Sequence, residues 1–452
     1  MFKKVLIANR GDIAIRILRA CRELGIPTVA VHSKIDEQLM HVKLANESVC
    51  IGENRSSESY LNISAILSAA EITGADAIHP GVGFLSENSK FASMVTEHGM
   101  TFIGPSPKHI IMMGDKITAK QTMSELGIPV VKGSDGEVKS IDEAKWIAKK
   151  IGYPVIFKAS SGGGGKGMKV ADSEQDIENA YLMARAEAKS NFGDDSVYME
   201  RYLSKPRHIE IQILADSYGN VIHLGERDCS IQRNHQKLIE ESPSVVLSNK
   251  QRNEIGSVVC NAIKQLGYVG VGTLEFLYEN GEFFFMEMNT RLQVEHSISE
   301  EITGIDLVKE QIRVASGEKL SITQDDVKFN GHAIEFRINA ENPYNFMPSP
   351  GKITELHFPG GNGVRIDSHI YRDYTIPPYY DSLIAKIIIC AGNRQECLAK
   401  ATSALDELVI EGVETTTNLH KKLVRNRDII GGNFDIHWLE SNLKSLTEGE
   451  TV

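Results

Sequence analysis

Hydrophobic and polar positions alternate with a period of two on either side of Asn280-Gly281. The flanking stretches, residues 272–278 and 283–289, are rich in aromatic and other apolar side chains, and this alternation predicts two strands. Asn-Gly suits a type I′ turn, because both central residues of that turn need a positive φ angle. The pattern therefore predicts a β-hairpin in this part of the chain.

Polar groups of the predicted hairpin lie on its two strands at matching positions. Side chains alternate along a strand, so Thr273, Glu275 and Leu277 share one face. The same rule groups Phe283, Phe285, Glu287 and Asn289 on one face of the second strand. If these faces match in register, Glu275 lies near Glu287 and Asn289, which together suit Mg²⁺ or Mn²⁺ held jointly with substrate phosphates. The alternative is a strand pair whose polar residues face water.

The alternation continues beyond the hairpin through Arg291, Gln293 and Glu295. It places a fixed cation and a candidate base directly after the predicted metal site. This arrangement favours the metal-site interpretation over a merely solvated strand face.

Short apolar runs alternate with helical patterns in residues 1–113. The predicted strands are residues 4–8, 28–31, 48–51, 76–78 and 101–103, and the predicted helices are residues 13–25, 60–70 and 88–97. Such alternation predicts a doubly wound parallel sheet. The G-x-G-x-x-G fingerprint is missing after the first strand, so NAD is not the expected ligand.

A glycine-rich segment, ASSGGGGKG at residues 159–167, follows a predicted strand at residues 154–158. Consecutive glycines cannot pack a core, but they let backbone N–H groups approach an anion such as phosphate. A flexible linker is the alternative, and the spacing is not that of a Walker A loop. The segment therefore predicts a phosphate-binding loop.

The rest of the central region mixes strands with amphipathic helices. The predicted strands are residues 197–203, 209–215 and 221–224, and the predicted helices are residues 117–126, 142–151, 249–266 and 305–315. Residues 226–237, ERDCSIQRNHQK, are too charged for a core strand by composition, and we expect them to line a groove. Taken alone, His208 and His235 are more typical of surface residues. Strands at 332–340 and 383–390 with a helix at 394–408 predict an α+β region at the C-terminal end.

Composition excludes several classes of protein. The length of 452 residues suggests about three domains at roughly 150 residues each. A net charge of −11 argues against non-specific nucleic-acid binding. The six cysteines form no CxxC pair, which predicts reduced thiols in a cytoplasmic protein. Neither a signal peptide nor a membrane span is expected, since no apolar run approaches the ~18 residues that a span needs.

Motifs along essentially the whole chain resemble, in collinear order, those of the biotin carboxylase family within the ATP-grasp superfamily. They are HPGVGFLSEN (79–88), MGDK (113–116), KASSGGGGKGM (158–168), RHIEIQILAD (207–216), ERDCSIQRNHQK (226–237), MEMNTRLQVEH (286–296), EFRINAEN (335–342) and PSPGKI (348–353). The resemblance implies a mixed α/β and α+β fold. Its implied parts are an N-terminal doubly wound parallel sheet (1–113), a central ATP-grasp domain (114–330) with a mobile glycine-rich lid at about 131–203, and a C-terminal α+β domain (331–446).

The resemblance also implies roles for individual residues. The implied ATP-binding residues are Lys116, Lys158, Gly164, Gly165, Glu200, Arg201, Tyr202, Leu203, His208, Gln232, His235, Leu277 and Ile436. Magnesium or manganese would be held by Glu275, Glu287 and Asn289. The implied bicarbonate site consists of Lys237, Arg291, Gln293 and the backbone of Val294. Glu295 would act as the base, and Arg337 would stabilise the biotin enolate.

The implied activity is the ATP-dependent carboxylation of biotin by bicarbonate through carboxyphosphate. The biotin would be attached to a biotin carboxyl carrier protein, and the chain resembles the free-standing bacterial subunit that performs the first half-reaction of acetyl-CoA carboxylase in fatty acid synthesis. The implied partners are the carrier protein, carboxyltransferase subunits and a second copy in a homodimer. The alternatives are a subunit of a pyruvate or other 2-oxoacid carboxylase, another ATP-grasp ligase, and a catalytically silent nucleotide-binding subunit.

The chain departs from the family pattern at three places. Val82 stands where tyrosine is usual, Ser297-Ile298 replaces Pro-Val, and Asn342 replaces aspartate. None of these changes removes an implied catalytic group, but Val82 and Ser297 bear on the biotin pocket.

Overall fold

The computed structural model describes residues 1–160 and 167–447, with the side chain of residue 447 left out. The N-terminal strands are β1 (Val5–Ile7), β2 (Thr28–Ser33), β3 (Glu47–Gly52), β4 (Ala77–His79) and β5 (Thr101–Phe102). The helices among them are α1 (Gly11–Glu23), α2 (Met40–Leu44), α3 (Ile63–Thr73), α4 (Ser89–Glu97) and α5 (Pro107–Gly114).

The five N-terminal strands form one parallel sheet in the order β3-β2-β1-β4-β5. Alternate residues of β1 pack to opposite sides: Val5 joins a core cluster with α1, and Leu6 joins another with α3 and α4. Helices therefore cover both faces, which confirms the predicted doubly wound sheet.

A small layered unit follows in the central region. Its elements are α6 (Lys116–Glu125), α7 (Ile141–Ile151), β6 (Val155–Ala159), β7 (Met168–Ala171), α8 (Ile177–Phe192) and β8 (Val197–Arg201). The strands form an antiparallel sheet in the order β7-β6-β8, and α7 and α8 pack on it through a separate apolar cluster. Apart from α6, whose Ala119 and Met123 pack in a different apolar cluster, these elements fall within the expected lid at 131–203, whose bounds and mobility stay predictions.

The remaining elements build the largest sheet and its flanks. In the central region they are β9 (Arg207–Ala215), β10 (Val221–Arg233), β11 (Gln236–Ser242), α9 (Asn249–Leu266), β12 (Gly270–Glu279), β13 (Glu282–Asn289), α10 (His296–Thr303) and α11 (Leu307–Ala315). Towards the C-terminus they are β14 (His332–Asn339), β15 (Gly351–Lys352), β16 (Glu355–His357), β17 (Val364–Ser368), β18 (Thr375–Ile376), β19 (Leu383–Ala391), α12 (Arg394–Glu407), β20 (Val409–Glu411), α13 (Thr417–Leu423), α14 (Arg427–Gly431) and α15 (Trp438–Thr447). Single-turn 3₁₀ segments occur at Lys34–Asp36, Ser56–Glu58, Glu174–Asp176 and Gln324–Asp326.

One antiparallel sheet of eight strands crosses the expected domain boundary at residue 330. Its order is β13-β12-β9-β10-β11-β14-β19-β17. Strand β14 pairs with β11 on one side and with β19 on the other, so the central and C-terminal regions share a continuous hydrogen-bonded surface. Among the described residues, no helix is both long and apolar enough to cross a membrane.

The prediction that the charged segment 226–237 is not a core strand was wrong for residues 226–233, which belong to the central strand β10 and are almost all buried. The segment does line a groove through Gln232, His235 and Lys237. The buried charges of β10 are paired: Arg227 with Glu210, Glu226 with Arg252, and Asp228 with Arg207. A buried charge is tolerated when an opposite charge and hydrogen bonds replace its water. Composition misled here because the partners come from β9 and α9.

The predicted hairpin is present, and its turn residues Asn280 and Gly281 have φ angles of 53° and 87°. Glu275 lies opposite Glu287, as the predicted register requires. The prediction that side chains alternate regularly along the whole second strand was wrong, however, because a β-bulge in β13 leaves Met286 without a paired residue on β12. A bulge reverses the facing of the residues beyond it. Phe283 and Phe285 therefore pack in the core rather than on the face of Glu287.

Candidate active site

A single cavity of about 800 Å³ lies where the three regions meet, and every predicted site residue within the described ranges lines it. These residues are Lys116, Lys158, Glu200, Arg201, Tyr202, Leu203, His208, Gln232, His235, Lys237, Glu275, Leu277, Glu287, Asn289, Arg291, Gln293, Val294, Glu295, Arg337 and Ile436. Gly164 and Gly165 lie outside the described residues, so their contact with phosphate stays a prediction.

Three lysines suited to a polyanion cluster at one end of the cavity, and Lys116 and Lys158 line it. Lys120 and Lys158 each donate to a different oxygen of buried Glu200, both at 2.7 Å. Burial works to raise the pKa of Glu200, but Lys158 and then Lys120 bring it below its ordinary value. The third cation is Lys116, whose Nζ lies 3.8 Å from Glu287. Glu200 thus holds two lysines in place while leaving them protons to donate to phosphate oxygens.

The two carboxylates predicted to bind metal face each other across the hairpin. Partial burial in the cavity wall raises the pKa of Glu287, and the negative charge of Glu275 raises it further. A divalent cation between them would relieve this repulsion, and carboxylate oxygens are the ligands that Mg²⁺ prefers. The predicted residues therefore fit a magnesium ion. Asn289 lies beside these carboxylates, since its Nδ2 donates to Glu275 Oε1 at 2.7 Å.

His208 is buried against the same carboxylate, which corrects its interpretation as a surface residue. Its Nε2 lies 2.8 Å from Glu275 Oε2, whereas His235 is exposed at the cavity wall. The side chains of His208, Glu210 and Glu275 form a second group that could bind a metal, since one potential ligand atom of each lies within 4.8 Å of the others. Lys237 Nζ already lies between the two acids of that group, 2.6 Å from Glu210 and 3.2 Å from Glu275, and so takes the place of a cation between them.

The predicted base, Glu295, lies between two cations. Lys237 Nζ contacts Glu295 Oε1 at 2.6 Å, and Arg337 Nη2 donates to Oε2 at 2.8 Å. Burial works to raise the pKa of Glu295, but Lys237 and then Arg337 lower it well below the ordinary value for glutamate. The carboxylate is therefore an anion, and the two cations beside it can bind a further anion.

The neighbouring cation, Arg291, is fixed by groups from two regions. Its Nε donates to Glu87 Oε2 at 2.8 Å, and its Nη2 donates to Asn289 Oδ1 at 2.9 Å. Gln293 donates to Glu275 Oε1 at 2.6 Å, and the carbonyl of Val294 accepts from Lys386 at 2.7 Å. A planar guanidinium held in this way suits the planar oxygens of bicarbonate.

Several residues around the site were not singled out from the sequence. Glu210 links Lys237 to Arg227, and Glu240 and Glu87 hold Arg337 and Arg291 respectively. Glu87, Glu210 and Arg227 lie inside the segments that carry the resemblance. A charged residue within the predicted apolar strand at residues 209–215 was the available signal for Glu210, because such a group folds only with a partner. No predicted element contained Glu240.

The residues that depart from the family pattern lie in different parts of the structure. Val82 lines the cavity. Buried Ser297 donates to Glu335 at 2.9 Å and accepts from Lys386 at 3.0 Å. Asn342 donates to Glu414 at 2.7 Å, outside the cavity lining. Of the three, only Val82 directly alters the cavity surface.

Family models match the three regions in order. The model described as biotin carboxylase, N-terminal domain, matches residues 1–110. The ATP binding domain of the carbamoyl-phosphate synthase L chain matches residues 115–323, and the biotin carboxylase C-terminal domain matches residues 335–441.

Individual relatives match over their full length. The biotin carboxylase of Pseudomonas aeruginosa is 55% identical over 444 residues, covering 98% of this chain and 99% of that protein. The biotin carboxylase domain dimer of Hydrogenobacter thermophilus 2-oxoglutarate carboxylase, solved with MgADP, ADP and bicarbonate, is 49% identical with a TM-score of 0.95, covering 100% of both chains. The structure of Campylobacter jejuni biotin carboxylase, in a β-γ-ATP complex, is 51% identical with a TM-score of 0.94, covering 98% of this chain and 99% of that one.

Proposed function

Because this chain belongs to the biotin carboxylase family, we propose that it serves as the biotin carboxylase subunit of an acetyl-CoA carboxylase. It is an ATP-dependent ligase that carboxylates biotin with bicarbonate. The observation that carries the assignment of residues is Glu295 held between Lys237 and Arg337, beside Arg291, in a cavity that also contains the lysines suited to phosphate.

The first chemical step joins bicarbonate to phosphate. Lys237 and Arg291 bind bicarbonate, and Glu295 removes its proton. The freed oxygen attacks the γ-phosphorus of ATP, the bond to ADP breaks, and carboxyphosphate forms. Bicarbonate that shares Lys237 with Glu295 makes that carboxylate more basic, because the lysine then stabilises its charge less.

Lys116, Lys158 and the Glu275–Glu287 pair serve the phosphates in this step. The lysines orient the phosphate chain and offset its charge, and phosphoryl transfer depends mainly on such positioning and electrostatics. Magnesium at Glu275, Glu287 and Asn289, when bound, neutralises charge on the transferring phosphoryl group.

The second step transfers carbon dioxide to biotin. Carboxyphosphate breaks into CO₂ and phosphate, and the phosphate takes the proton of the ureido nitrogen. The nitrogen then attacks the carbon of CO₂, while Arg337 stabilises the negative charge that develops on the ureido oxygen. Arg337 enters the cavity from β14, whereas Glu295 comes from the start of α10. Arg337 can therefore contact biotin from a different direction than Glu295 contacts bicarbonate.

Full-length identity of 55% to a free-standing biotin carboxylase supports the acetyl-CoA carboxylase setting. The partners in that setting are a biotin carboxyl carrier protein and carboxyltransferase subunits, with a second copy of the chain in a homodimer. The alternative setting is a 2-oxoacid carboxylase, and the similarity to the 2-oxoglutarate carboxylase domain supports that alternative. Purification of the native complex, followed by assays with acetyl-CoA, pyruvate and 2-oxoglutarate, tests the choice. Carboxylation of a 2-oxoacid alone overturns the acetyl-CoA proposal.

The half-reaction itself is measured with the purified chain. Bicarbonate-dependent release of ADP should increase when free biotin is added, and labelled bicarbonate should appear in carboxybiotin. Another ATP-grasp ligase would show no response to biotin, and a silent subunit would release no ADP.

The metal site predicts a specific loss in the variant Glu287→Gln. The amide is neutral and a weaker Mg²⁺ ligand, so the magnesium concentration for half-maximal ATP cleavage should rise on the order of tenfold, or about 1.4 kcal/mol. The fold should survive, because the Glu287 side chain is 38% exposed and its ion pair with Lys116 is long, at 3.8 Å. Magnesium titrations of the variant provide the measurement.

Glu282→Gln provides the control, since Glu282 is exposed at the other end of β13. Its magnesium dependence should match that of the wild type. An unchanged magnesium dependence in Glu287→Gln would count against the assignment of Glu287 as a metal ligand.

A further inference from the structure

Arg337 is shared by two acids that lie on different sides of it. Its Nε donates to Glu240 Oε1 at 2.5 Å, and its Nη2 donates to Glu295 Oε2 at 2.8 Å. Glu295 lines the cavity, whereas Glu240 is fully buried on β11 and does not line it. Glu295 can therefore contact a substrate in the cavity, whereas Glu240 can act on a substrate only through Arg337.

The proposed function sets a requirement on this arrangement. Both oxygens of Glu295 are engaged by cations, Oε1 by Lys237 and Oε2 by Arg337. For Glu295 to act on bicarbonate and Arg337 on biotin, the bond between their side chains must open. A guanidinium released from one partner keeps its place only if another partner still holds it.

We infer that Glu240 is a positioning residue, which anchors Arg337 through Nε while the Nη2 end of the guanidinium moves from Glu295 to biotin. The inference rests on the proposed role of Arg337. Without the charge of Glu240, Glu295 would become the stronger partner of Arg337, and its release to biotin would be less favourable.

The surroundings of Glu240 support a role beyond filling space. Glu240 Oε2 is buried and forms no hydrogen bond within the described part of the chain. Burial and the nearby Glu335 raise the pKa of Glu240, and Arg337 opposes that rise, so the ionised form of Glu240 depends on Arg337 remaining beside it. A buried carboxyl with an unsatisfied oxygen is costly for stability. That oxygen offers the guanidinium a second acceptor when Glu295 is lost.

The same strand provides a matched pair that faces the other way. Glu241, the next residue of β11, pairs with Arg394, whose Nε donates to Glu241 Oε2 at 2.7 Å. Glu241 is also buried, and the side chains of Arg394 and Arg337 are similarly exposed, at 17% and 16%. Neither Glu241 nor Arg394 lines the active-site cavity.

The test compares Glu240→Gln with Glu241→Gln in the full-length chain. ADP release without biotin and carboxybiotin formation are measured side by side at saturating ATP and bicarbonate, with kcat and KM for biotin obtained separately. Glu240→Gln should lower kcat for carboxybiotin about tenfold, within the roughly 10²-fold that misplacement of a catalytic group can cost. Its ADP release without biotin should stay within about twofold of the wild type. Glu241→Gln should leave the ratio of the two rates unchanged.

Glu240→Asp offers a second measurement if the glutamine variant does not fold. Aspartate keeps the carboxylate, but its side chain is one methylene shorter, so the carboxylate lies farther from Arg337. This variant should lower carboxybiotin formation selectively, though less than Glu240→Gln does. An equal loss of both rates, or no loss of either, would overturn the inference. The role of Arg337 is tested separately: if Arg337→Ala also shows no selective loss, the proposed role of Arg337 fails, and if only Glu240→Gln lacks that loss, the anchoring role of Glu240 alone fails.

Discussion

The variant Glu295→Gln is expected to lose both bicarbonate-dependent ATP cleavage and biotin carboxylation. Glutamine cannot accept the proton of bicarbonate, and removal of a general base typically lowers the rate by roughly 10²–10⁴-fold. Both activities fall together because the base acts before carboxyphosphate exists. ADP release and carboxybiotin formation, measured on the same preparation, check this result.

The controls separate chemistry from folding. Glutamine leaves Lys237 and Arg337 with less compensating charge, so stability should be followed by thermal unfolding. Glu300→Gln is the matched control, since buried Glu300 also neutralises two arginines, Arg16 and Arg365, but does not line the cavity. It should unfold at a lower temperature yet keep both activities at 25 °C. Carboxybiotin formation by Glu295→Gln at the wild-type rate would rule out Glu295 as the base.

The variant Arg337→Ala should separate the two activities. Loss of one charge-stabilising donor typically costs about 10²–10³-fold in rate, and here the loss should fall on carboxybiotin formation. ATP cleavage should fall far less, because carboxyphosphate still forms and then decays to CO₂ and phosphate. The ratio of carboxybiotin formed to ADP released is the measurement.

Arg394→Ala is the control for this variant, because Arg394 forms the equivalent pair with Glu241 away from the cavity. It should lose stability without changing the ratio. If Arg337→Ala lost both activities in equal proportion, Arg337 would belong to the bicarbonate step as well. Arg337→Lys, which keeps a positive charge, should recover part of the carboxylation.

Local patterns determined much of the secondary structure. The Asn280-Gly281 turn requires positive φ angles, and the structure has them at both residues. The helix predicted at residues 249–266 has those bounds, because Ser248 caps its start and Gly267 has the left-handed conformation at its end. Such signals lie within a few residues of one another and can be recognised without tertiary contacts.

The resemblance of the motifs to a known family identified the fold and the cavity residues, but no residue pattern predicted how the charges pair. Glu210 and Lys237 are separated by 27 positions, and Glu240 and Arg337 by 97. Such pairs exist only because β9, β10, β11 and β14 lie side by side in one sheet. Sequence periodicity records which face a residue takes, and it carries no information about which distant strand becomes the neighbour.

The sequence by itself thus determined the local elements, the turn and the chemical types of the candidate site. Only the tertiary structure decided that residues 226–233 form a buried strand, that a bulge at Met286 turns Phe283 and Phe285 into the core, and that Glu295 is held by two cations. The physical reason is the same in each case. A charged or irregular segment is stable in the interior only when a distant element supplies the compensating charge or hydrogen bond, and that partner is set by strand order.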